Sequence, residues 1–308
     1  MILCCGEALI DMLPRETREG AHAFTPHIGG SVFNSAIALG RLGVPVGFYS
    51  GLSTDLFGKK LGDALEESRV DLSRVQFSDR PTTLAFVHLA DGHASYHFYD
   101  ENSAGRMLEP SSLPALDGVS GLLFGGISLV NEPAASTYEA LMAQAAKDRV
   151  VMLDPNIRPA FITNADEHRT RLARLVKLAD IVKISVEDLE WLKPGVGTAE
   201  AANELLKGGS HIVVVTRGGD GAQVFVGDEE LQVPAQKVEV VDTVGAGDTF
   251  NAGLLAALHK SGNLDKSRLA GIDSTALREA LDFAARVAAV TVSRAGANPP
   301  WADELEAA

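Results

Sequence analysis

Short apolar runs alternate with longer stretches of helical period along most of this chain. Ile2–Cys5, Val46–Ser50, Leu122–Phe124, Val150–Leu153, Ile181–Ile184 and His211–Thr216 are nearly uninterrupted hydrophobic or β-branched segments. That is the pattern of strands buried on both faces. Between them, Ser31–Leu42, Asp55–Glu67, the Ala-rich Pro133–Lys147 and Thr275–Ser293 predict helices, the first closed by Gly43. The alternation predicts an α/β fold, a parallel sheet with helices on both faces. Ligands of such sheets sit beyond the carboxyl ends of the strands.

Two stretches break the alternation. Asp11–His27 follows the first strand with mixed polar and apolar residues, and Thr82–Tyr99 reads as a hairpin with Asp91-Gly92 at its turn. The hairpin strands are apolar on both faces. One face is expected to cover a site and the other to meet a second copy of the chain, since an exposed two-sided sheet invites association. This reading divides the chain into a main α/β domain (1–10, 29–80 and 104–308) and a small β-sheet lid (11–28 and 81–103). Simple extension of the main sheet is the alternative.

At 308 residues, 46% hydrophobic and 22% charged, the chain has enough apolar material for one large domain with an appendage or for two domains. Its net charge of −14 argues against nucleic acid or an anionic membrane as partner. An anionic small molecule stays open, because local donors and not net charge make such a site. No run of about 18 apolar residues predicts a membrane span. The opening MILCCGEALID lacks a basic segment and a small-residue cleavage site, so it reads as a buried first strand. Cys4 and Cys5 are the only cysteines, adjacent and without a metal-spaced partner, and imply reduced thiols in a cytoplasmic protein.

Candidate chemistry concentrates in Val240–Leu255, VVDTVGAGDTFNAGLL. A short β-branched run stops at Asp242, the loop Gly245-Ala246-Gly247 follows, and Asp248 opens a run of helical character to about Leu258. Glycines let the backbone approach a ligand, and the free N–H groups of a helix start attract anions. A carboxylate inside an anion site suits removal of a proton from a hydroxyl attacking a phosphoryl group. Alternatively, Asp248 merely favours the helix start.

Other segments point the same way more weakly. Asp11 stands just past the first strand, where a carboxylate can accept sugar hydroxyls or simply face solvent. Gly29-Gly30 precedes a helix start with Asn34 one turn in, a donor and an acceptor together or part of a plain glycine turn capped by Ser31. In Asp154-Pro155-Asn156-Ile157-Arg158 the proline ends a strand, and the Arg158 fork suits a phosphate or a surface salt bridge. Thr216-Arg217-Gly218-Gly219-Asp220-Gly221 suits nucleotide phosphates or a hairpin turn into Ala222–Val226. A G-x-x-x-x-G-K-[ST] loop is absent, and Gly245-x-Gly247 is not completed as G-x-G-x-x-G because Phe250 holds the third place. A dinucleotide oxidoreductase therefore loses ground.

These motifs together resemble the ribokinase-like (PfkB) carbohydrate kinases over nearly the whole length. The signature Asp242–Phe250 followed by Ala252-Gly253 is the specific part. Gly29-Gly30 through Asn34 to Arg41-Leu42-Gly43, DPNIR and the Thr216–Gly221 segment support it in the family's order. The resemblance implies a doubly wound, mostly parallel ribokinase-like sheet with a β lid, and ATP with Mg²⁺ as phosphoryl donor. It implies Asp248 as base, the amides of Gly245, Ala246, Gly247 and Asp248 as anion hole, and Arg158 on phosphate or sugar. Asp11, Gly29, Gly30, Asn34, Phe98 and Asp100 would bind the sugar. Thr216, Gly218, Gly221, Lys183 and Ser185 would bind the nucleotide. Asp242, the Val244 carbonyl and the segment at Gly296 would hold a monovalent cation such as K⁺, and a homodimer through the lid is expected. Where the family often carries Asn-x-x-Glu, this chain has Ser185-Val186-Glu187-Asp188, which leaves Mg²⁺ to Asp188, with waters.

GEALID, Tyr96–Leu108, GGISLVNEP and GANPPW look most similar to bacterial fructokinases. The rival is 2-keto-3-deoxygluconate kinase, whose lid supplies arginine after two aromatics. Here Phe98-Tyr99 is followed by Asp100, which would repel a sugar acid if it faced the substrate. A sugar-sensing homologue without catalysis is the alternative from another class.

Overall fold

The structure, a computed structural model, describes residues 1–90 and 93–306. The turn expected at Asp91-Gly92 lies outside the described residues. The strands in chain order are β1 (Ile2–Cys5), β2 (Leu9–Glu16), β3 (His22–Gly29), β4 (Val46–Tyr49), β5 (Gly51–Ser53), β6 (Val70–Asp71), β7 (Gln76–Ser78) and β8 (Leu84–Ala90). They continue with β9 (His93–Tyr99), β10 (Gly121–Gly125), β11 (Val150–Asp154), β12 (Ile181–Ser185), β13 (Ile212–Thr216), β14 (Ala222–Val226) and β15 (Glu229–Val233). The helices are α1 (Ser31–Arg41), α2 (Leu56–Glu67), α3 (Ala134–Ala145), α4 (Ala165–Val176) and α5 (Val186–Leu192). After them come α6 (Thr198–Lys207), α7 (Ala246–Lys260), α8 (Lys266–Ala270), α9 (Ser274–Val292) and α10 (Ala302–Glu306).

A nine-stranded sheet runs β15-β14-β13-β12-β11-β10-β1-β4-β6, parallel from β13 to β6 and antiparallel at β14 and β15. Alternating side chains of its central strands feed two separate cores. Ile2, Cys4, Val150, Met152, Ile212 and Val214 pack beneath α1, α7 and α9. Leu3, Cys5, Val151, Leu153, Val213 and Val215 pack with the residues of α3 to α6. Both cysteines are fully buried and free, as expected. Helix starts follow their capping residues: the Asp55 carboxylate accepts from the amides of Phe57 and Gly58, and Asp273 does the same for Thr275 and Ala276.

A small separate sheet is present, with strand order β3-β2-β8-β9. Its register places Leu9, Asp11, Ala85 and Phe98 on one face and Ile10, Met12, Phe86 and Tyr99 on the other. The first face joins Ile127 and Phe161 of the main body. On the second, Phe24, Phe86 and Tyr99 meet edge to face at 5.0 and 5.4 Å, with Tyr99 65% exposed.

The β-branched run before the glycine loop joins no sheet. Val240 and Val241 are exposed, and the amides of Val241 and Asp242 donate to the Val292 carbonyl at the end of α9. The segment is thereby tied to a helix end and joins no ladder, despite its β-branched composition.

Candidate active site

The carboxyl ends of β1, β11, β12 and β13, the start of α7 and the cavity-facing side of the small sheet enclose a cavity of about 860 Å³. At its centre stands the start of α7. Gly245 takes φ 78°, a left-handed conformation that favours glycine, and a Cβ there would meet Ala297 at 2.7 Å. The Thr249 amide donates to the Gly245 carbonyl at 2.9 Å, so the amides of Gly247 and Asp248 lie ahead of that bond. The Ala246 amide bonds back to the Thr243 carbonyl at 3.3 Å, which engages one of the four amides expected to bind an anion.

Asp248 is buried in the first turn of the helix. Its Oδ2 accepts from Asn34 Nδ2 at 2.8 Å, and its Oδ1 accepts from Asn156 Nδ2 at 3.5 Å. Burial pushes its pKa up to about 7; the charge of Asp154 adds to that, while the Asn34 hydrogen bond, Lys183 and Arg158 oppose it. A carboxylate of this kind loses and gains a proton near neutral pH, which is what a general base needs.

Asn34 reaches Asp248 because α1 begins beside the end of β1. Gly30 caps that helix at φ 113°, and a Cβ there would strike the Glu7 carbonyl oxygen at 2.7 Å. Glu7, which sequence reasoning did not single out, fastens the same junction by accepting from the Ser31 amide and hydroxyl, both at 2.8 Å. Burial raises its pKa. Asp11 enters from the small sheet and is pushed up to about 6 by burial, against the opposing charge of Arg158.

Two sugar-site expectations need correction. Gly29 does not line the cavity; a Cβ on it would collide with the Asp11 carboxylate, so Gly29 makes room for Asp11 and does not itself face a ligand. Asp100 does not line the cavity either. It lies beyond the end of β9 and accepts from the Thr83 and Ser103 hydroxyls at 2.9 and 3.0 Å and from Asn131 at 3.4 Å. Its hydrogen bonds are made to these neighbours, so a direct contact of Asp100 with a ligand in the cavity is not part of this arrangement. Phe98 does line the cavity, and packs edge to face on Phe161 at 4.7 Å.

Arg158, Lys183, Ser185 and Asp188 meet on the strand side of the α7 start. Lys183 is buried and pairs with Asp154 at 2.9 Å, and Asn251 donates to the same Asp154 oxygen at 2.7 Å. Lys183 thus stands beside the glycine turn. The Ser185 hydroxyl accepts from the Asp188 amide at 3.0 Å and caps α5. Asp188 accepts from the Ile157 amide at 3.1 Å, and burial together with Asp154 pushes it up to about 6.

Thr216, Gly218 and Gly221 line the far end of the cavity, where β13 turns back into β14, so the ligand and hairpin readings of that segment coexist. Val233, Val238, Val240, Ala289 and Val292 give this end an apolar wall. Asp242 accepts from the Val244 amide at 3.0 Å and from the Gly296 amide at 2.9 Å, bringing together the three positions named for a monovalent cation. Among the described residues, no cluster of three or more His, Cys, Asp or Glu is arranged to hold a metal alone. No helix there is long and apolar enough to cross a membrane.

The family model described as pfkB family carbohydrate kinase matches residues 1–304. A fructokinase of Rhizobium leguminosarum bv. trifolii is 48% identical over 283 residues, covering 92% of this chain and 87% of that protein. Among solved structures, the fructokinase of Xylella fastidiosa with bound ATP superposes with a TM-score of 0.92 at 30% identity, covering 99% of this chain and 97% of its own. The fructokinase of Vibrio cholerae O395 in its fructose, ADP and calcium ion bound form gives 0.87 at 28% identity with the same coverage.

Proposed function

The chain belongs to the pfkB family of carbohydrate kinases, and from that premise we propose that it transfers the γ-phosphoryl group of ATP to the 6-hydroxyl of fructose, giving fructose 6-phosphate and ADP. The observation that carries this reading is Asp248, a buried carboxylate poised near neutral pKa beside the free amides of a helix start. The relatives named fructokinase supply the sugar.

In this reading Asp11, Gly30, Asn34 and Phe98 hold the sugar, and Asp248 takes the proton of its hydroxyl. The resulting oxygen forms a bond to the γ-phosphorus as the bond to the bridging oxygen breaks, and ADP leaves. The amides of Gly247 and Asp248 and the Arg158 guanidinium take up charge on the transferring group. Thr216, Gly218 and Gly221 hold the nucleotide, with Ser185 fixing the orientation of α5 beside it.

The residues present fit Mg²⁺ as phosphoryl reactions use it, through one carboxylate, Asp188, together with substrate phosphates and water. When bound, the ion would neutralise phosphate charge. Asp242, the Val244 carbonyl and the Gly296 segment fit a monovalent cation such as K⁺ behind the anion-binding turn. We place the protein in the cytoplasm, where the thiols of Cys4 and Cys5 stay reduced, and infer a homodimer through the outer aromatic face of the small sheet. Sedimentation velocity of Phe24→Ser/Tyr99→Ser against the parent tests the dimer; identical mass in both would remove it.

Because the Asp100 carboxylate is engaged by Thr83, Ser103 and Asn131 and does not line the cavity, 2-keto-3-deoxygluconate is the competing substrate. ADP release measured across fructose, ribose, glucose, adenosine and 2-keto-3-deoxygluconate decides between them. Fructose is expected to give the highest kcat/KM, with a product oxidised in a phosphoglucose isomerase and glucose-6-phosphate dehydrogenase couple. A sugar acid turned over much faster, or a product the couple does not oxidise, contradicts the proposal.

A further inference from the structure

Gly247 has no conformational reason to be glycine. It lies inside the first turn of α7 and is not among the positive-φ residues, and glycine weakens a helix relative to alanine. The space a side chain would occupy is instead taken from outside: a Cβ on Gly247 would sit 2.8 Å from Nζ of Lys183. The lysine arrives from β12, is 5% exposed, and lines the cavity. Its ammonium donates to one oxygen of Asp154 at 2.9 Å, and Asn251, one turn beyond Asp248, donates to that same oxygen at 2.7 Å. The other Asp154 oxygen and the Asn251 side-chain oxygen are buried without partners. This is not a closed structural ion pair. Lys183 lines the cavity with its ammonium beside the Gly247 turn, and its one hydrogen bond to Asp154 leaves it further donors.

Resting on the carbohydrate-kinase reading, we propose that Lys183 is a catalytic residue of phosphoryl transfer. Its ammonium lies against the oxygens of the migrating phosphoryl group from the strand side of the α7 turn. Asp154 and Asn251 are its positioning residues, and Gly247 is the gap that admits it. Charge in such a transition state spreads over three equatorial oxygens, and the amides approach from one side only. A fixed cation beside those amides, reaching in from the strand side, strengthens the interactions that grow during transfer and costs no reorganisation at that moment. Lys183 moves no proton here; Asp248 keeps that task.

The test separates a catalytic cation from a partner that merely neutralises Asp154. Lys183→Met should lower kcat by about 100-fold or more, the scale seen on removing one donor to a developing charge, with KM for the sugar changed less than about threefold. Lys183→Met strands a buried carboxylate, so Lys183→Met/Asp154→Asn is measured beside it, with melting temperature and sugar binding as folding controls. The double variant should fold and remain slow. Recovery of the parent kcat in the double variant would show that Lys183 only balances Asp154, and would overturn the proposal. Gly247→Ala displaces only the end of a flexible side chain, so it should fold, lower kcat, and add little further loss to Lys183→Met. Fully multiplicative losses would also refute the clearance argument. If the parent phosphorylates another sugar, the fructose reading alone fails, and the same comparison is run on that sugar.

Discussion

The two ends of the cavity are built by opposite means. Around Asp248 the side chains are buried and held by named partners: Asn34 and Asn156 on its carboxylate, and Lys183 and Asn251 on Asp154. At the far end, Val240 and Val241 are 60% and 59% exposed, and the segment that carries them joins no sheet. Low effective dielectric makes each polar contact at the centre strong and each error costly. An exposed apolar wall fixes little and tolerates change. Chemistry therefore belongs to the constrained end and adaptable binding to the open one.

The largest effect is expected at the centre. Asp248→Asn should lower kcat about 10³-fold while fructose binding, followed calorimetrically, changes only a few-fold. It should also stabilise the fold at pH 8. With a folded pKa raised to about 7, Asp248 contributes stability below its ordinary carboxylate value and loses it as pH rises through about 7. The melting temperature of the variant should thus exceed the parent by about 2–5 °C at pH 8, and the gap should close near pH 4. An equal gap at both pH values would contradict the burial argument.

Gly245→Ala comes next. It combines a left-handed φ of 78° with a collision on Ala297, and should cost about 10²-fold in kcat by displacing the amides of the turn. Retained kcat would show that those amides do not need their present aim. Phe98→Ala, on the small sheet that lines the cavity, should raise KM for fructose about tenfold with kcat nearly constant, since it removes packing on Phe161 and not charge. The smallest effect belongs to the open wall. Val240→Ser should raise KM for ATP by about two- to threefold and leave kcat alone. A loss there as large as at Asp248 would erase the contrast between the ends.

Much of the architecture was legible because its signals are local. Apolar runs and capping residues mark β1, β11, β12, β13, α2 and α9, and the two stretches that broke the alternation form the separate sheet. Asp248 was legible for the same reason, since glycine turn and acid are neighbours in the chain. The groups that hold it were not. Asn34 is 214 residues from Asp248, and Asp154 is 97 residues from Asn251, so only folding reveals those pairs. Asn156 and Glu7 stood inside segments already noted, but their roles depend on where Asp248 and Ser31 arrive. Asp100 misled because strand parity would place it on the face of Phe98. The strand ends at Tyr99, and parity ends with it. The fate of Val240-Val241 was not legible either, because β-branched composition says nothing of whether a ladder partner is within reach.

The central claim is that Asp248 is the base, and the pH dependence of kcat/KM for fructose tests it most directly. The parent should rise with pH through an apparent pKa near 7 as Asp248 ionises, and the limb should vanish in Asp248→Asn, leaving a low and flat residual rate. The same limb persisting in the variant, at comparable rate, would contradict the account.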